Sequence, residues 1–143
     1  MTQPHDLQRF LSAQDEIWPA PVRELARGQK STHWMWFVFP QIAGLGRSPT
    51  ARHFAIASIA EARAYLFHPV LGARLAEAIA ALLSAPGDAE TILGPIDAIK
   101  LRSSMTLFSA VADDRAPFDA VLSRFYRGER DPATLRLIAG EKP

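Results

Sequence analysis

"HPVLGARLAEAIAALLS", residues 68–84, decides the fold. Val70, Leu71, Leu75, Ala78, Ile79 and Leu82 recur at helical spacing and form one broad apolar stripe. Pro69 stands where a first helical residue tolerates a missing N–H, and "PGD" beyond Ser84 stops the run. A stripe this wide must be covered, and the segments on either side read as helices too. Upstream, "SIAEARAYLF" is a capping box, with Ser58 at the cap and Glu61 three residues on. "SPTARHF" puts Ser48 at an N-cap and Pro49 at the first helical position. Nearer the start, Val22, Leu25 and Ala26 repeat before a terminating Gly28, and Asp6 precedes a stripe of Leu7, Phe10, Leu11 and Ile17. Downstream, Asp88 caps a short helix, and Gly94-Pro95 ends it and opens another through about Ala112. "PFDAVLSRFYRG" is closed by Gly128, and Asp131 with Pro132 begins the last. No segment alternates with period two, no Asn-Gly or Asp-Gly hairpin signal appears, and "FVF" as a strand would stand alone. The prediction is an all-α fold, a single multihelical domain of about seven or eight short helices spanning 1–143.

The composition agrees. A chain of 143 residues suits one core. Its 48% hydrophobic and 22% charged residues are far from a disordered composition. Sixteen Lys+Arg against fifteen Asp+Glu leave +1, so neither nucleic acid nor a membrane surface is expected as a partner. The absence of cysteine excludes disulfides, thiolate nucleophiles and cysteine-ligated metals, and fits a reducing compartment. "MTQPHDLQRF" is polar, with no apolar signal core, and no run approaches the roughly 18 apolar residues of a membrane helix. A soluble cytoplasmic protein, monomeric or weakly dimeric, is expected.

"DLQRFLSAQD", "HWMWFVFPQIAGLGRSP", "EARAYLFHPVLGARL" and "KLRSSMTLFS" resemble, in that order, the signature segments of the bacterial family catalogued as domain of unknown function 1810 (DUF1810). The resemblance covers nearly the whole chain and is most specific in "HWMWFVFPQ" and "KLRSSMTLF". It implies a single multihelical domain and carries no established activity. Some members bear the label calpastatin-like. Calpastatins are disordered inhibitors, and the apolar content here argues against that label.

Three stretches hold candidate site residues. In "THWMWFVFPQ", residues 32–41, helical geometry would put His33, Trp36, Phe37 and Pro40 on one face, with Trp34, Val38 and Gln41 on another. A segment apolar all round is normally core. Alternatively, Trp34 or Trp36 walls a pocket to which His33 and Gln41 supply the polar groups. Pro40 disfavours helix at Phe39, so Gln41 begins a loop. In "AGLGRSP", Gly44 and Gly46 allow a tight turn, and the helix opened by Ser48-Pro49 could hold an anion beside Arg47; a plain inter-helix turn explains it as well. Its spacing matches neither a Walker loop nor a dinucleotide fingerprint.

In "KLRSSMTLF", Leu101, Met105, Phe108 and Ala112 form a narrow stripe flanked by Lys100 and Ser104 on one side and Arg102 and Ser109 on the other. Ser103 lies just beyond Lys100. A solvated amphipathic helix would look like this. Yet adjacent serines are poor interior helix formers, and Lys100, Ser103 and Ser104 together offer a charge and two hydroxyls to a polar ligand. Four scattered histidines predict no metal site, and no catalytic residue or cofactor is assigned.

Two functions follow as expectations. In the first, His33, Gln41, Lys100, Arg102 and Ser104 converge beside Trp34 or Trp36. A small phosphorylated or carboxylated molecule, bound there by a binding protein or enzyme, is then the cations' missing partner. In the second, the chain is a non-catalytic protein–protein interaction module using an apolar patch that contains Trp18 or Trp34.

Overall fold

The computed structural model describes residues 5–140. Its helices are α1 (Gln8–Asp15), α2 (Ala20–Ala26), α3 (Met35–Val38), α4 (Pro49–Phe54), α5 (Ile59–Phe67), α6 (Pro69–Ser84), α7 (Ala89–Leu93), α8 (Pro95–Val111), α9 (Ala116–Tyr126) and α10 (Pro132–Gly140). Seven have seven residues or more. The count of ten exceeds expectation because α3, α4 and α7 are turns of four, six and five residues. Among the described residues there is no strand. One parallel bridge joins Ile42 to Ile56 where the chain leaves Pro40. No single helix among these residues is long and apolar enough to cross a membrane.

The caps follow the sequence. Ser48 Oγ accepts from the Ala51 amide at 3.1 Å, Ser58 Oγ from Glu61 at 3.0 Å, and Asp88 from Thr91 at 2.8 Å. Asp131 accepts from the Thr134 amide at 3.0 Å. His68 both ends α5 and starts α6, its Nδ1 accepting from the Val70 and Leu71 amides at 3.1 and 3.3 Å. The two helices meet there at 86°. That corner needs Gly72, where a Cβ would lie 2.2 Å from the Leu66 carbonyl oxygen.

Glu61 also reaches beyond its capping box. Its carboxylate accepts from the Ala57 amide and from Arg9, both at 2.9 Å. Arg9 in turn donates to the carbonyls of His53 and Ala55, tying α1 to the α4–α5 loop. Arg124 works the same way on α9, donating to the carbonyls of Leu82, Leu83, Ala85 and Gly87 where α6 runs out of partners.

The two longest helices, α6 and α8, are bridged by α5 and α9, each of which packs on both. α2 covers the remaining side of α6, and α7 and α10 lie on α8. Leu101, Met105 and Phe108 are fully buried, as the stripe predicts. The flanks correct the sequence reading, because Ser104, Thr106 and Ser109 are fully buried too and Ser103 almost so. α8 is a core helix, not a solvated one. Its hydroxyls enter the core because most find partners. Ser103 Oγ donates to Asp131 at 3.1 Å, Thr106 Oγ1 to the Arg102 carbonyl at 2.8 Å, and Ser109 Oγ to Asp119 at 2.6 Å. Ser104 Oγ alone among the buried side-chain polar atoms described has none.

A buried hydroxyl without a partner bears its desolvation cost uncompensated. Ser104→Ala is therefore expected to leave stability unchanged or raise it, whereas Ser109→Ala should cost about 1–3 kcal/mol by orphaning a bonded group. Urea denaturation of the pair checks this; a Ser104→Ala loss equal to that of Ser109→Ala would show a partner for Ser104.

Candidate functional site

The site begins with a buried carboxylate. Glu24, on α2, is 4% exposed. It accepts from the Ser31 and Thr32 amides at 2.7 and 3.0 Å, the Thr32 hydroxyl at 2.5 Å and the Trp34 indole N–H at 2.9 Å. Burial pushes this carboxyl up, but the hydrogen bonds from Thr32, Ser31 and Trp34 outweigh it and hold it down to about 2. The α2–α3 loop is thereby wrapped onto α2, and the Lys30 amide pins it to the Ile92 carbonyl at 2.7 Å.

Lys30 then extends over the Trp34 ring, Nζ 5.2 Å from its centroid, to Asp97 at 3.0 Å. Asp97 is in place because Gly94, at φ +90°, turns the chain from α7 into α8, a conformation that disfavours other residues. One turn along α8, Lys100 lies 4.9 Å above the Trp36 ring and 3.5 Å from the other oxygen of Asp97. Two lysines, each resting on an indole, share one aspartate. Beside them opens a cleft of about 280 Å³, with His33, Met35 and Trp36 on one wall and Leu93 to Asp97 on the other. Among the described residues no second carboxylate lies within ion-pair distance of either lysine. The Ile96 and Asp97 amides, at the positive end of α8, have no carbonyl partner among the described residues.

Of the predicted residues, the structure puts His33 and Trp36 on the cleft and brings Lys100 against the Trp36 ring beside it, across more than sixty positions of sequence. It does not bring the others. Trp34 is a core residue, 1% exposed, behind Lys30. Gln41 lies against Trp36 in a hollow of about 10 Å³, room for no more than a water. Arg47 is exposed and carries no ion pair among the described residues. The α4 it precedes has six residues, and its start is occupied by Ser48 itself. Arg102 donates to the carbonyls of Glu129 and Arg130 at 2.9 and 2.8 Å, so it and Ser103 bind the α9–α10 connection to α8. Ser104 is core. The reason is geometric for Arg102, which lies about 160° around α8 from Lys100, whereas Ser103 and Ser104 are nearer in angle but fall on the side of α8 that the core covers.

The expectation that the cations lack a protein partner is corrected by Asp97, which pairs with both Lys30 and Lys100. Lys30 and Asp97 were missed, although Asp97 and Lys100 stand at an i,i+3 spacing that signals a pair. Trp18 and Trp34 form no exposed patch, since the Trp18 indole packs partly buried and donates to Glu77 at 3.0 Å. Among the described residues, no three His, Asp or Glu side chains gather as a metal ion would need.

Comparison with known proteins adds identity but no activity. A family model described as "Protein of unknown function (DUF1810)" matches residues 4–138. The crystal structure of the conserved hypothetical protein Rv1873 from Mycobacterium tuberculosis is similar, at 46% identity and a TM-score of 0.93. The match covers 96% of this chain and 99% of that one. No curated protein matches.

Proposed function

We propose, for a chain that belongs to the DUF1810 family of proteins of unknown function, that it binds a small anionic molecule in the cleft between α3 and the start of α8. The observation that carries this reading is the shared aspartate. Two lysines meet the single carboxylate of Asp97 beside an aromatic wall and the Ile96 and Asp97 amides, which have no carbonyl partner among the described residues. A carboxylate or phosphate group there completes the pairing, and Trp36 offers its ring to the rest of the molecule. At about 280 Å³ the cleft suits a small metabolite in a cytoplasmic setting. His33 is the titratable group on the cleft outside the lysine–aspartate set, and an enzymatic role would use it.

Titration with inorganic phosphate and with benzoate, followed by Trp fluorescence with Trp36→Phe as control, tests the proposal. Lys100→Ala is expected to weaken binding roughly tenfold or more, the scale of one charged hydrogen bond, with the fold intact. Equal affinity in the variant, or no response to either anion, would overturn it.

A further inference from the structure

Beyond Pro95 a second groove, of about 430 Å³, runs between the start of α7 and the end of α9 with α8 as its floor. Ile99 lies in that floor 66% exposed, and Ile96, one turn earlier on the wall of the first cleft, is 69% exposed. The core does not need them, since α8 already buries ten other residues. Phe125 and Tyr126 make the α9 wall, half-buried.

The lining of this apolar floor carries three carboxylates against one guanidinium, with Arg124 at its margin 4.4 Å over the Phe125 ring. Asp88 and Glu90 stand on the α7 rim, neither with an ion pair among the described residues, and Asp131 stands opposite. Arg102, the cation lining the groove, is spent on two carbonyls and lies 3.8 Å from the Glu129 carboxylate. The groove is thus apolar below and acidic above.

We propose that it docks a short basic, amphipathic segment of a partner protein. The partner's apolar side chains seat against Ile99 and Phe125, and its flanking Lys or Arg residues meet Asp88 and Glu90. A second copy of this chain fits less well, because two-fold pairing through Ile99 would bring like-charged rims together. The proposal is independent of the anion cleft, whose charge has the opposite sign.

The test is a titration of the isotope-labelled full chain with an amphipathic leucine–lysine peptide and with its leucine–glutamate counterpart. The basic peptide is expected to shift the amides of Ile99, Phe125 and Tyr126 saturably, and the acidic one to shift none of them. Glu90→Lys should weaken binding roughly fivefold, the upper range for an exposed charge pair, and Ile99→Asp should abolish it with the circular dichroism unchanged. Lys100→Ala should leave this titration as it is, which separates it from the anion reading. Equal binding of both peptides, shifts confined to other surfaces, or an unaffected Ile99→Asp variant would overturn the proposal. So would self-association through Ile99 that the basic peptide fails to displace.

Discussion

Phe108→Ala is expected to lower the free energy of unfolding by about 3–5 kcal/mol, a large part of the roughly 5–15 kcal/mol that holds a domain together. Phe108 is fully buried in α8, and its ring centroid lies 5.5 Å from that of Tyr65 and 5.9 Å from that of Phe118. It therefore joins α5 to α9 through α8, and truncation opens a cavity that three helices would have to close together. Phe108→Leu should cost less, because part of the volume is kept. Urea denaturation with an unchanged slope is the measurement. An unmoved midpoint would mean that the ring is not packed as described.

Glu24→Ala is expected to be comparably severe, about 3–5 kcal/mol, for a different reason: it strands four donors at once. Two are backbone amides, one is the Thr32 hydroxyl and one is the indole of the core residue Trp34. The sign of the pH dependence follows. The folded carboxyl is held down to about 2 from an ordinary 4.5, so its stabilisation is complete above about pH 4.5 and is lost as pH falls toward 2. The part lost is roughly 3 kcal/mol. Comparing unfolding free energies at about pH 6 and about pH 2.5 should show the wild type losing most of this amount beyond what Glu24→Gln loses. Parallel losses would place the acid sensitivity elsewhere. Because the same loop carries Lys30 and His33, loosening it should also weaken anion binding in the cleft.

What the sequence made legible is what depends on near neighbours. Ser48, Ser58, Asp88 and Asp131 act within three residues of themselves, and Phe39 leaves helical geometry (φ −123°, ψ 71°) because Pro40 follows it. Helix ends and class were therefore readable. The site was readable only in part, since Lys30 and Asp97 meet across a distance that no local pattern records. The buried face of α8 was misread for another reason. Periodicity reports which positions are apolar, and a hydroxyl bonded inside the core looks the same in sequence as one bonded to water. Arg9 and Arg124, spent on carbonyls far along the chain, were hidden in the same way.

Those inner hydroxyls have a consequence for both flanks of α8. Apolar packing changes by degrees when a helix turns about its axis, but Ser103 and Ser109 each meet a particular carboxylate oxygen and Thr106 Oγ1 accepts from the Asp131 amide. A slip of one residue, about 100°, would break all three together and swing Lys100 toward the core. The helix is indexed, as a key is by its keyway. Lys100 beside the first cleft and Ile99 in the second groove are thereby set at fixed angles before anything arrives. A visitor to either side meets walls already in position, so little of its binding free energy is consumed in ordering them.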